Sequence, residues 1–521
     1  MNTPSGDKVN PWVVTVVISL ATFMEVLDTS IANVSLSHIA GGLAAGLDES
    51  TWVLTTYLVA NAVMMPISGW LSTIFGTKRF YMTCVAVFTA SSLLCGMAPT
   101  LNWLIAFRLI QGIGGAGMAP VVQAMLADIF PPEKRGMAFS VYGLSVVFAP
   151  AIGPTLGGWI TDNYSWHWIF LINVPVGIIS LMLTAVLVSE PEAAKVERAR
   201  VFRNGLRVDW IGFFLAVVGI GCLELFVDRG ERSDWFSSPA ILTAAVISGV
   251  SLLTLVFWEI RQKEPIVDIP LLKLPSFLAS FITMFFMGFI LFGTTALLPQ
   301  FLEQLLGYTA QQAGLALTAG GVFLMFMMPL VGGVLIPRFP AKYLVAVGLV
   351  ILAASLFNMT RFNLGISFDM AVQARIFQVA GIALIFAPIT QAAYNGLPPG
   401  KNNNASALIN LARNLGGSIG IAVCSTIIAR RGQFHQSRIV EHVSAFDTET
   451  QNALAHLKAL LPHDPSSLQP LRYIYGEVQR QAGMLSYIDA FWLMGILTLL
   501  VLPLAFLLRQ SHGRSDAPVG H

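Results

Sequence analysis

"RLIQGIGGAGMAP", Arg108–Pro120, and "RIFQVAGIALIFAP", Arg375–Pro388, follow one pattern twice. Arg108, Gln111 and Gly114 match Arg375, Gln378 and Gly381 at a single offset of 267, and the loops behind them match too, "PPEK" at Pro131 against "PPGK" at Pro398. Each copy lies inside an apolar run. Runs of about 20 such residues, enough to cross roughly 30 Å of hydrocarbon, occur near 12–34, 51–73, 80–98, 102–127, 137–160 and 167–188. A second group lies near 209–227, 238–258, 275–299, 311–336, 342–358, 369–395, 404–428 and 486–508. Arg108 opens span four and Arg375 span twelve, so spans one to six correspond to nine to fourteen, with seven and eight inserted between them. The sequence therefore predicts an all-α integral membrane protein with 14 transmembrane helices: an N-terminal six-helix bundle at 1–188, a linker with two inserted helices at 189–258, and a C-terminal bundle at 259–521. Parallel repeats related by an axis along the membrane normal suit alternating access, with substrate bound between the halves.

Composition supports the membrane reading. Of 521 residues, 55% are hydrophobic and 11% charged, and the mean hydropathy of +0.70 exceeds what a soluble core accommodates. The net charge of +2 is small and the basic residues form no stripe suited to nucleic acid. Their positions are informative instead. With a cytoplasmic N-terminus, the inner segments hold Lys8, Lys78 and Arg79, Lys134 and Arg135, and Lys195, Arg198, Arg200, Arg203 and Arg207. Further along come Arg261, Lys263 and Lys273, Arg338 and Lys342, Lys401, and Arg509 and Arg514. The short outer loops hold only Arg229, Arg232 and Arg361, which places both termini in the cytoplasm. One long outer segment, about 429–485, includes "FHQSRIVEHVSAF" and "LPHDPSSLQP". "MNTPSGDKVNPWVV" at the start lacks a small-residue cleavage site and reads as the lead-in to an uncleaved first helix. Cys84, Cys95, Cys222 and Cys424 fall in apolar runs as small core residues, and neither a disulfide framework nor a metal or other cofactor is expected.

Charges inside the spans carry the functional signal. Glu25 and Asp28 in "FMEVLDTSIANV" are three residues apart, on one face of the first helix. Crowding two carboxylates into a poorly solvated bundle draws a proton onto at least one of them, which suits exchange of a proton for a substrate. Asp28 lies about six residues, roughly 9 Å, below the outer end of span one, and Arg108 is about as deep in span four. A guanidinium cannot shed its charge, so Arg108 should face Asp28 or Glu25, with Gln111 one turn on. Asn33, Gln111, Gln123, Phe285, Phe289, Arg375 and Gln378 are expected to line the substrate cavity. Flexible aromatic and Met side chains between Phe281 and Phe292 suit varied ligands. Arg413 is a further candidate for an anionic group, while Glu224 in span seven belongs to the inserted pair and is expected outside the central cavity. The small residues of "GIGGAG", Gly112–Gly117, and "APAIGPTLGGW", Ala149–Trp159, allow close helix packing and bending.

In this order, "LDTSIANV" from Leu27, "GWLSTIFGTKRF" from Gly69, "RLIQGIGGA" from Arg108 and "GPTLGG" from Gly153 resemble successive signatures of the major facilitator superfamily. With fourteen spans, the chain resembles the EmrB-type branch of its drug:proton antiporters. The resemblance implies the major facilitator fold and proton-driven export of hydrophobic or amphipathic drugs from the bacterial inner membrane. It also implies proton coupling at Asp28, Glu25 and Arg108, with gating and helix packing at Gly69, Gly76, Lys78, Arg79, Gly112, Gly153, Pro154, Gly157 and Gly158. Implied partners are a periplasmic adaptor of the EmrA type and an outer-membrane channel, and 429–485 is the stretch expected to meet the adaptor. The chain departs from the pattern at Thr73, where an acid is usual, at Thr77, where a base is usual, and at Ser37, where a proline often stands. The first two weaken the cytoplasmic charge relay.

Other functions fit poorly. "GLPPGKNN" from Gly396 has three residues between its glycines and Asn402 where a phosphate loop needs Ser or Thr, which argues against an ATP-driven pump. Metal-spaced histidines and a nucleophile elbow are absent from the sequence, so an enzyme is not expected. The remaining alternative is a proton-coupled importer of a small metabolite with the same fold.

Overall fold

Caps and prolines set where the helices begin. Asn10 accepts from the Trp12 amide at 3.0 Å ahead of Pro11, Asp209 from Gly212 at 2.9 Å, and Thr309 forms a capping box with Gln312. The computed structural model describes residues 10–190, 192–203, 208–262, 265–444, 446–460 and 469–508. Lys8, Arg207, Lys263, Arg509 and Arg514, and most of 461–470, lie outside the described residues. The membrane helices are α1 (Pro11–Val34), α2 (Trp52–Phe75), α3 (Thr77–Gly96), α4 (Leu101–Ile129), α5 (Pro132–Asn163), α6 (Asn173–Leu187) and α7 (Trp210–Arg229). Then follow α8 (Pro239–Glu259), α9 (Pro275–Gln304), α10 (Ala310–Arg338), α11 (Ala341–Met359), α12 (Phe368–Ala393), α13 (Asn402–Val440) and α14 (Gln469–Val501). Among the described residues, 13 helices are long and apolar enough to cross a membrane; α3, 20 residues with Lys78 and Arg79 in its first turn, stands at the third expected span.

The repeat read in the sequence is repeated in the packing. α1 packs on α5 and α6, α2 on α4, and α3 on α4 and α6; eight helices later, α9 packs on α13 and α14, α10 on α12, and α11 on α12 and α14. The halves meet along two seams, α5 against α10 and α2 against α13. The α9–α13 contact depends on missing side chains: a Cβ on Gly288 would meet the Arg413 carbonyl, one on Gly416 the Phe285 carbonyl, and one on Gly420 the Phe289 carbonyl. Pro150 and Pro154 lie inside α5, and a π-helical turn at Val331–Leu335 follows Pro329 in α10, so both helices of one seam carry bends or irregular turns.

Two features differ from the sequence expectation. Where sequence alone assigned the inserted pair no neighbours, α7 packs against α2 as well as α13 and so lies in the second seam, while α8 lies outermost on α7. The outer segment 429–485 is largely helical where described, because α13 runs on to Val440 and α14 starts at Gln469, with a short helix Thr448–Leu460 between them. Asp489 pins the two extensions together, accepting from Arg431 Nε at 2.5 Å and lying 2.8 Å from His435 Nε2.

Candidate functional site

The N-terminal half buries an ion pair. Arg108 Nη1 lies 2.5 Å from Asp28 Oδ2, the two side chains being 0% and 1% exposed. Arg108 Nη1 also donates to Gln111 Oε1 at 2.9 Å, and Nε to the Val53 carbonyl at 3.1 Å. The other Asp28 oxygen accepts from Gln111 Nε2 at 3.1 Å and from Asn173 Nδ2 at 2.7 Å, and both amides also reach the Ser92 hydroxyl. The Tyr57 ring lies 4.2 Å from the guanidinium. A buried pair is held best when its remaining polar atoms are occupied; α1, α2, α3, α4 and α6 all contribute here, and Arg108 Nη2 alone of the pair's polar atoms is buried without an acceptor among the described residues.

Glu25 has different surroundings. Three residues turn a helix by about 300°, leaving its side chain about 60° from that of Asp28, enough to aim it at α2 instead of α3 and α6. Glu25 Oε1 accepts from Asn61 Nδ2 at 3.1 Å, and Oε2 is buried without a hydrogen-bond partner among the described residues. Asn61 Oδ1 in turn accepts from Asn414 Nδ2 at 3.4 Å, and Asn414 Oδ1 from Arg413 Nε at 3.3 Å and Nη2 at 3.2 Å. The two carboxylates therefore share no partner: Asp28 is locked within one half, and Glu25 is wired across the seam to the other.

The remaining residues singled out from sequence are scattered between the seam and the bundles. Gln123 Oε1 accepts across the seam from Asn410 at 2.8 Å. Phe289 is buried and Phe285 partly so, their backbones pressed on the glycines of α13. Arg375 and Gln378 bond each other at 2.8 Å inside the C-terminal half. Asn33 is exposed near the end of α1. Gly112 abuts Tyr57 and Ala60, Gly153 abuts Ser30, Gly157 abuts Ile31, and Gly158 faces open space next to the bend at Pro154. Glu224 accepts a hydroxyl from Ser418 on α13, and Asp228 one turn later accepts a hydroxyl from Thr55 on α2.

At the end carrying the basic loops, where Thr73 and Thr77 replace the usual charges, side-chain amides make contacts between the halves. Asn403 donates to Thr73 at 3.4 Å, Asn402 to Asp128 at 2.7 Å and Gln391 to the Pro132 carbonyl at 3.1 Å, each joining one half to the other. Gly69 is packed on Asn403 and Asn404. Gly76 adopts φ 90°, which favours glycine. Behind it, the Thr77 and Lys78 amides donate to Glu190 at 2.6 and 3.0 Å, and Lys78 Nζ to the Ala185 carbonyl at 2.9 Å; Arg79 is exposed. Sequence reasoning missed Asn61, Asn173, Asn410 and Asn414. Their signal was a lone amide in an apolar span, as in "FLINVPVG" from Phe170.

Two repeated bundles with a buried charge network on one side of their seam define a membrane transporter. The family model of the Major Facilitator Superfamily matches residues 18–421, and the chain belongs to that superfamily. It is 34% identical over 506 residues to the multidrug export protein EmrB of Escherichia coli (strain K12), covering 96% of each chain. It is 36% identical over 499 residues to the fatty acid resistance protein FarB of Neisseria gonorrhoeae, covering 95% of each. The solved structure of the proton:xylose symporter XylE bound to 6-bromo-6-deoxy-D-glucose shares the fold at a TM-score of 0.58 and 14% identity, covering 95% of this chain and 94% of that one.

Proposed function

We propose that this transporter is a proton-coupled exporter of hydrophobic or amphipathic drugs, working by alternating access in the bacterial inner membrane with both termini in the cytoplasm. The observation that carries the reading is Glu25: a buried carboxylate with one unpartnered oxygen, bonded to an amide that itself bonds the opposite half. When the halves part, the Asn61–Asn414 contact breaks and Glu25 meets water, where it gains or loses its proton. Asp28 serves beside it, with Arg108 adjusting its hold on a proton. Likeness to EmrB and FarB supports export; the partners of this reading are a periplasmic adaptor and an outer-membrane channel, with 429–485 meeting the adaptor. Substrate binds between the halves, near Gln111, Gln123, Phe285, Phe289, Arg375 and Gln378.

The test is substrate-driven proton movement in proteoliposomes, across cationic, neutral and anionic hydrophobic drugs. Proton flux opposite to drug flux, lost in Asp28→Asn and Glu25→Gln, is expected. Transport that survives the double substitution refutes the proton assignment, and flux in one direction for both makes the chain an importer. Deleting residues 441–468 should abolish co-purification with an adaptor; unchanged co-purification rules that contact out.

A further inference from the structure

The repeat gives each half a guanidinium but only one half a carboxylate. At the offset of 267 that relates Arg108 to Arg375 and Gln111 to Gln378, Asp28 corresponds to Thr295 and Val53 to Gly320. The geometry keeps the correspondence. Arg375 Nη1 donates to Gln378 Oε1 at 2.8 Å, as Arg108 does to Gln111, and Arg375 Nη2 donates to the Thr295 hydroxyl at 2.9 Å, where Arg108 meets Asp28. Nη1 also donates to the Thr294 hydroxyl at 3.2 Å, and Gly320 lies against the Arg375 stem.

The difference is in what is left over. In the N-terminal half, Arg108 Nε has the Val53 carbonyl and Gln111 Nε2 has Asp28 and Ser92; of these two side chains' donors only Arg108 Nη2 lacks an acceptor among the described residues, and there the Asp28 carboxylate balances the charge and the Tyr57 ring lies 4.2 Å from the guanidinium. In the C-terminal half, Arg375 Nε and Gln378 Nε2 are buried without an acceptor among the described residues, and there no Asp or Glu pairs with Arg375. Arg375 and Gln378 are both 0% exposed. Arginine keeps its charge at any working pH, and an uncompensated charge in such a place is strongly disfavoured. Thr295 is the partly exposed member of the cluster, on a helix that is apolar on either side, from Ile290 to Phe292 and from Ala296 to Leu298.

We propose that Arg375, Gln378, Thr294 and Thr295 form a binding site for one carboxylate-like monoanion, which takes the place that Asp28 holds in the other half. The anion comes either as the headgroup of an amphipathic substrate or as a free small anion. The proposal builds on Arg375 and Gln378 lying beside the substrate path, and its test is binding without a gradient, so it stands or falls separately from proton antiport.

The experiment measures calorimetric binding and thermal stabilisation of the purified protein at neutral pH with octanoate, methyl octanoate and acetate. Octanoate is expected to bind and the ester not, with affinity falling at least about tenfold in Arg375→Gln. Thr295→Asp is the decisive variant, because it supplies the missing carboxylate internally: it should be more stable than the parent without anion and should lose octanoate binding. Octanoate much tighter than acetate identifies a substrate headgroup, and equal affinities identify a free small anion. Undiminished octanoate binding by Thr295→Asp, or no anion binding by the parent, overturns the site.

Discussion

Neutralising Asp28 alone should harm the fold more than neutralising it together with Arg108. Asp28 accepts from Arg108 at 2.5 Å, from Gln111 at 3.1 Å and from Asn173 at 2.7 Å, in a pocket where both charged side chains are at most 1% exposed. Asp28→Asn leaves the guanidinium buried without a counter-charge, a loss of about 3–5 kcal/mol. It also replaces an accepting oxygen with an NH2 that faces other donors, adding about 1–3 kcal/mol for the unmet groups. Arg108→Gln has the mirror effect on Asp28. The double variant buries no charge, keeps similar volumes and lets amides bond amides, so its loss should be smaller than that of either single variant, a coupling of about 3 kcal/mol or more. Thermal unfolding of the four purified proteins, followed by intrinsic fluorescence, reads this directly. Losses that simply add in the double variant would refute the claim that the ion pair organises this half. Gradient-driven transport should stay lost in the double variant even as stability returns, which separates the structural role of the pair from its coupling role.

Glu25→Gln should leave stability within about 1 kcal/mol of the parent, or raise it, because the buried charge it removes makes no direct ion pair and reaches Arg413 only through Asn61 and Asn414, while proton-driven export disappears; unfolding as severe as that of Asp28→Asn would count against the division of labour between the acids. Gly153→Ala should destabilise by about 1–3 kcal/mol through overlap with Ser30, whereas Gly158→Ala, with nothing within 4 Å, should be neutral or stabilising; equal melting shifts would refute the packing argument. Asn402→Ala with Asn403→Ala removes the hydrogen bonds to Asp128 and Thr73. In that background a cysteine introduced by Ile74→Cys, at a buried position, should react faster with an impermeant maleimide on inverted vesicles, and an unchanged rate would mean that these amides do not hold that end shut.

The two halves and the pairing of Arg108 with Asp28 were readable because charges inside apolar spans are few and these two lie at matching depths. Which helix supplies the other contacts depends on rotation about each helix axis, and a span apolar on all sides hides that rotation. Hence Asn173 and Ser92 were missed around Asp28, and the Phe and Met side chains of α9 gave no sign of which would meet the backbone of α13. The place of α7 was hidden for a related reason. Hydropathy counts spans without ranking their neighbours, and Thr55 and Ser418 are unremarkable hydroxyls until the acids they bond are known. The extensions of α13 and α14 are hidden because Arg430, Arg431 and His435 end the apolar run of the one, and Arg472, Glu477 and Arg480 precede the apolar run of the other.

The position of α7 gives the molecule a front and a back. With Thr55 of one half and Ser418 of the other both tied to it, the α2–α13 side carries a third helix bonded to both halves. At the opposite seam α5 and α10 pack directly on each other, with Thr155 and Thr318 3.0 Å apart. A twofold-related scaffold thereby acquires two unlike sides.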